Sequence, residues 1–136
     1  MADPLPIVLF SWFAGVDVGA MVVYKQPVNI ILHVAWESDP VCRDIIASHF
    51  PNAFIYPNLF SEDHTSPLSV FREALFDSRL PLHTKVLILA GPPCPDFSIV
   101  KHDAEGTRGT EGRQFLESIQ FLRDIMSISK FPVFFV

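Results

Sequence analysis

The chain has 136 residues, 49% of them apolar, and a formal net charge of −5. That suffices for one modest domain with a real core and excludes a disordered segment, while the acidic balance argues against a surface that grips nucleic acid by its own charge. No apolar run approaches the roughly 20 residues of a membrane span. The start, Met1-Ala-Asp-Pro-Leu-Pro6, lacks the basic region of a secretory signal. Cys42 and Cys94 form no CxxC pair, which suits a reducing intracellular compartment and argues against a zinc site.

Residues 6–12, Pro-Ile-Val-Leu-Phe-Ser-Trp, read as a first strand. Phe13-Ala-Gly-Val-Asp-Val-Gly19 follows as a glycine turn, and Ala20–Tyr24 as a short helix. Strand, glycine turn and helix open a nucleotide-type βαβ unit. The fingerprint G-x-G-x-x-G is missing, so a nucleoside-type ligand fits better than a dinucleotide with a pyrophosphate to cradle. Gly15 would let the backbone pass close to such a ligand.

Val28–Trp36 reads as the second strand, closed by Glu37. Glu37 falls about 20 residues after the glycine turn, where an acid can accept hydrogen bonds from ribose hydroxyls. The bland alternative is a solvated acid in a turn. Asp39-Pro40 is a helix start, an N-cap followed by proline at the first helical position. That helix is expected to reach about His49 with Val41, Ile45 and Ile46 inward, and Cys42 on it as an inert core thiol.

Ala53–Tyr56 is a short third strand, and the loop Ser61–Thr65 is polar, with His64 solvated. Ser66-Pro67 starts another helix, whose Leu68, Phe71 and Leu75 should face the sheet, and Asp77–Pro81 ends it. Residues 86–90 are an unbroken apolar run, as in a parallel strand covered on both faces. Gly91, Pro92, Pro93 and Pro95 stop it abruptly. Cys94 therefore sits in a stiff loop past the carboxyl end of a strand, where open α/β sheets bind ligands. It reads either as a nucleophile with a fixed direction of attack or as a thiol packed under a loop. Ile99–Gly112 is a long loop with glycines and mixed charges. Thr110 caps a last helix with Phe115, Ile119, Leu122 and Met126 at helical spacing, and Phe131–Val136 begins a fifth strand.

Gly91-Pro92-Pro93-Cys94-Pro95-Asp96-Phe97-Ser98 resembles the Pro-Cys nucleophile motif of the cytosine-C5 methyltransferases. Phe13–Gly19 resembles the first cofactor motif of that family, with Asp17 where the second glycine usually stands. Glu37 matches the ribose-binding acid, and Asn58-Leu59 stands where the family has an aspartate and an apolar residue against adenine. An asparagine oxygen can still accept from the adenine amino group, without the charge. Pro93–Val100 with Gly109-Thr-Glu-Gly-Arg113 looks most like the animal-type de novo DNA methyltransferases.

The resemblance implies a doubly wound, mostly parallel α/β sheet of the Rossmann-like methyltransferase type, ending after its fifth strand. It implies S-adenosylmethionine as cofactor and no metal. Phe13, Ala14, Gly15, Val16, Asp17 and Val18 would hold the methionine end, Glu37 the ribose, and Ser38, Asn58 and Leu59 the adenine, with Pro93 a further cofactor-binding residue. Cys94 would add as a thiolate to cytosine C6, activating C5 toward the methyl group, on a base taken out of the stack. Residues 1–136 would be a partial S-adenosylmethionine-binding catalytic domain. The Glu-Asn-Val acid and the target-recognition region would lie beyond Val136, so the chain alone is expected to be inactive or nearly so. DNA would be the partner, through regions outside this chain, in a nuclear setting and with no membrane contact; a homologous methyltransferase is a further expected partner. Three alternatives stay open: a transfer-RNA cytosine-C5 methyltransferase, a non-catalytic cofactor-binding remnant, and an unrelated α/β enzyme or thiol protein in which the Pro-Cys motif is coincidence.

Overall fold

The computed structural model describes residues 3–75, 79–91 and 110–136. In chain order the elements are β1 (Leu5–Trp12), α1 (Val18–Tyr24), β2 (Val28–Trp36), α2 (Pro40–His49), β3 (Phe54–Tyr56), α3 (Pro67–Leu75), β4 (Lys85–Ala90), α4 (Thr110–Ile128) and β5 (Val133–Phe135). They fall into two compact units, Met1–Gly91 with Ser129–Val136, and Pro92–Ile128.

The first unit holds one five-stranded sheet in the order β3-β2-β1-β4-β5, parallel at every pairing. This is a Rossmann-like α/β fold, as expected. Parallel neighbours need crossover connections, and those crossovers put helices over the sheet faces. The order reverses at β1, so the carboxyl ends of β1 and β4 form the switch point of the sheet.

Side chains alternate between two unlike faces. On one face Ile7, Leu9 and Ala35 pack with Ala20 of α1 and with Ile46 and Phe50 at α2 in a single cluster. On the other, Phe10 meets Trp36 edge-on at 5.8 Å and Phe71 of α3 at 5.9 Å. The Trp36 indole N–H donates to the Thr65 carbonyl at 2.7 Å, which ties the loop before α3 to the sheet. Removing a buried aromatic of this kind costs about 3–5 kcal/mol.

The caps explain where the helices start. Asp39 accepts from the Val41 N–H at 2.9 Å, with Pro40 following it at the start of α2. The Ser66 hydroxyl accepts from the Ser69 N–H at 3.3 Å at the start of α3. Two expected core positions are corrected. Val41 is 65% exposed, because the first turn of α2 reaches past the sheet edge and Ile46 carries the burial. Met126 is 57% exposed; in α4 Gly112, Ser118 and Ile125 are buried, the last two one residue round the helix from the expected stripe. Ser118 fits inside because its hydroxyl donates to the Phe115 carbonyl at 2.6 Å. Cys42 is half-buried, not a core thiol. The Leu75 side chain lies outside the described residues. Among the described residues no helix is long and apolar enough to cross a membrane.

Candidate functional site

The site begins where β1 runs out. Trp12 is flanked by Trp36 and Ala90 on the neighbouring strands, and the chain must then turn back within a few residues to enter α1. It does so with three residues in the left-handed region: Phe13 at φ 53°, Gly15 at φ 58° and Asp17 at φ 61°. Such angles are uncommon without glycine and cluster at ligand-binding loops. The Ala14 N–H donates to the Trp36 carbonyl at 3.0 Å and the Asp17 N–H to the Ala14 carbonyl at 2.8 Å, which over-determine the turn. A side chain built at Gly15 would meet nothing within 4 Å, so the space above this glycine is open.

Glu37 closes the loop from β2. Its Oε2 accepts from the Gly15 N–H at 2.7 Å and its Oε1 from the Asp39 N–H at 3.0 Å. Each carboxylate oxygen keeps acceptor capacity beyond the one bond it makes. Arg43 of α2 donates through Nη1 to the carbonyls of Glu37 at 3.0 Å and Ser38 at 2.7 Å, so the turn carrying the acid is pinned from behind. The same Asp39 and Glu37 carboxylates stand near Cys42. Its partial desolvation, followed by those two charges, pushes the thiol pKa up and disfavours the thiolate.

Asp17 answers the question its glycine position raises. It takes the backbone conformation a glycine would take, φ 61° and ψ 48°, which aspartate tolerates better than most residues. Its side chain makes no capping bond to α1. Instead Oδ2 meets His33 Nε2 at 2.9 Å, with both side chains buried. His33 Nδ1 meets the Tyr24 hydroxyl at 3.2 Å, and Phe50 packs edge-on to the imidazole. Burial, and then the Asp17 charge, raise the Tyr24 pKa, so Tyr24 keeps its proton. Tyr24, His33 and Asp17 thus form one chain of hydrogen bonds from α1 through β2 to the turn before α1.

A cleft of about 360 Å³ opens at the switch point, lined among others by Ser11, Phe13, Asp17, Gly19, Leu89 and Gly91. This lies within the usual range for small-molecule sites. Gly19 and Leu89 meet at the wall of the cleft, where a Cβ on Gly19 would stand 2.8 Å from the Leu89 side chain and make it turn aside. A larger cavity of about 660 Å³ lies at the amino ends of β1 and β2, beside Asp3, Asn29 and His83. It is remote from the loop and from the carboxyl ends where α/β sheets bind ligands.

The expected residues separate into groups. Phe13 packs against Phe60 with ring centroids 5.9 Å apart, which brings the turn after β3 to the turn after β1. In that turn Asn58 is exposed and its Oδ1 accepts from the Phe60 N–H at 3.0 Å, while Leu59 is buried. Gly15 and Glu37 are bonded directly. Ser38 is exposed and contributes its carbonyl to Arg43. Val16 is half-buried, and Val18 lies exposed on the first turn of α1. His64 is exposed. Pro93 and Cys94 lie outside the described residues. Among the described residues no group of three or more acidic, histidine or cysteine side chains could hold a metal ion.

Sequence reasoning missed Ser11, Tyr24, His33 and Arg43. A signal existed for His33: a histidine inside a strand buried on both faces must find a polar partner, and Asp17 was the residue out of place in the preceding turn. No known protein-family model matches the chain, and a search of curated proteins finds no match to it.

Proposed function

We propose that this chain is the cofactor-binding part of an S-adenosylmethionine-dependent DNA cytosine-C5 methyltransferase. One observation carries the reading: the 2.7 Å hydrogen bond from the Gly15 N–H to Glu37, at the carboxyl ends of a Rossmann-like sheet. It joins the two blocks of sequence that the family uses for this cofactor. The residues present fit the group. Glu37 is half-exposed and keeps acceptor capacity on both oxygens for ribose hydroxyls. The space above Gly15 is open, and the neighbouring cleft has room for an amino-acid tail.

When bound, S-adenosylmethionine supplies an electrophilic methyl group. Phe13 and Gly15 would shape the loop beside it, Glu37 would orient the ribose, and Asn58 and Leu59 would flank the base. The Cys94 thiolate would add to C6 of an extruded cytosine, which makes C5 electron-rich enough to take that methyl group from sulfur; loss of the C5 proton and of the thiolate would then restore the ring with the methyl in place of the hydrogen. The part played by Cys94 and Pro93 rests on their motif alone.

Calorimetry of the 136-residue chain with S-adenosylmethionine tests the cofactor half of the reading. Binding in the micromolar range that falls more than about tenfold in Glu37→Ala supports it. No heat at millimolar ligand, or binding indifferent to Glu37, removes it.

A further inference from the structure

α1 is weakly fixed by its own sequence. Val-Gly-Ala-Met-Val-Val-Tyr carries no charge, has glycine in its first turn and receives no side-chain cap bond. A seven-residue helix of that kind is marginal by itself. Both of its ends are instead fastened to one side chain of β2. His33 meets Asp17, the residue before the helix, through Nε2 at 2.9 Å, and Tyr24, its last residue, through Nδ1 at 3.2 Å. Asp17 and Tyr24 lie about two turns apart, on one helix face. The imidazole is itself clamped, with the Tyr24 ring centroid at 5.6 Å and the Phe50 centroid at 5.0 Å. The bonded chain runs from the half-exposed end of α1 to the loop that presents the Gly15 N–H to Glu37. Glycine would take the backbone angles of Asp17 with less strain, so what the aspartate adds there is its bond to β2.

We propose that Asp17, His33 and Tyr24 are positioning residues that hold the Phe13–Asp17 loop closed on Glu37 with no ligand present. The loop is ordered during folding, and binding does not bear that cost. Tyr24 and His33 act through Asp17 and line no part of the cleft. That the loop serves S-adenosylmethionine rests on the cofactor reading above. Its closure by α1 and β2 does not.

Amide hydrogen exchange of the full 136-residue chain, without ligand, compares Gly15 in the loop with Phe10 and Val34 in the strand cores. In the wild-type chain Gly15 is protected. Asp17→Gly speeds exchange at Gly15 at least about tenfold more than at Phe10 or Val34. Asp17→Asn restores the protection to within about twofold, because an amide can accept or donate and so keeps the bond to Nε2 wherever the proton lies. Tyr24→Phe, which cuts only the outer bond, gives a local rise of about fourfold. A Gly15 amide unprotected in the wild-type chain overturns the proposal. So does an equal acceleration of Gly15 and the strand amides, which would reduce the bonded chain to a contribution to overall stability. Should Asp17→Gly not fold, Tyr24→Phe decides between these outcomes, since it alters a half-exposed residue remote from the loop. Binding of S-adenosylhomocysteine is read separately: a chain that binds none of it but shows the Gly15 response keeps the positioning residues and loses the cofactor reading.

Discussion

Glu37, bonded to the middle of the Phe13–Asp17 loop, and Asp17, at its end, are held in opposite ways. Glu37 is half-exposed and bonded to two backbone N–H groups. Asp17 is buried and bonded to one side chain that is itself bonded to another. The difference teaches what each acid can be used for. An acid that accepts from backbone is fixed by the fold and keeps lone pairs for a ligand. An acid that leans on a histidine depends on a second residue being present, and its charge is felt at full strength because water is excluded.

Removing the histidine should break the contrast most sharply. His33→Ala leaves the Asp17 carboxylate buried with no donor and should cost about 3 kcal/mol in urea unfolding. Asp17→Asn, in which the hydrogen bond survives, should not. If the two variants lose stability equally, the charge of Asp17 is irrelevant and the distinction between the two acids collapses. Glu37→Gln should follow at about 1–2 kcal/mol, since one of the two backbone N–H groups loses its acceptor; backbone amide exchange at Gly15 and Asp39 would show which.

Gly15→Ala tests the loop itself. Nothing stands near the new methyl, so the cost is backbone strain alone, about 1–2 kcal/mol. A larger loss would mean that the loop cannot relax around it. Arg43→Met should cost about 1 kcal/mol and loosen the turn that carries Glu37, with no effect on the Asp17 side. Alkylation gives the smallest effect. In a Cys94→Ser chain, Cys42 should react with iodoacetamide more slowly than a free thiol at pH 8, and its rate should keep rising at higher pH, because its pKa is raised. A fast, pH-insensitive reaction would contradict the influence of Asp39 and Glu37 on it.

These contrasts also explain what was legible in the sequence. β2 was read as Val28–Trp36 and forms over those residues, since a nine-residue, mostly apolar strand bounded by Pro27 and Glu37 leaves little choice. Glu37 was legible because a position at a strand tip follows from counting. The partner of Asp17 was not, because it comes from a different element and only the sheet register, Leu9 opposite His33, turns it toward α1. Val41 and Met126 failed for a related reason. Helical spacing gives the stripe but not its rotation, and in α4 a serine that satisfies its own hydroxyl takes an inward place that an apolar pattern would refuse it. Arg43 carries no signal of its own, since one arginine on a helix is ordinarily solvated.

The central position of β1 has a consequence for how the chain folds. β1 pairs with β2, which follows it closely, and with β4, which arrives only after α2, β3 and α3. During synthesis the half β1-α1-β2-α2-β3 can close first, leaving one side of β1 as an apolar, unpaired edge until β4 emerges. Closing that gap late makes folding slow for a chain of this size, and it makes the nascent half the species most exposed to aggregation.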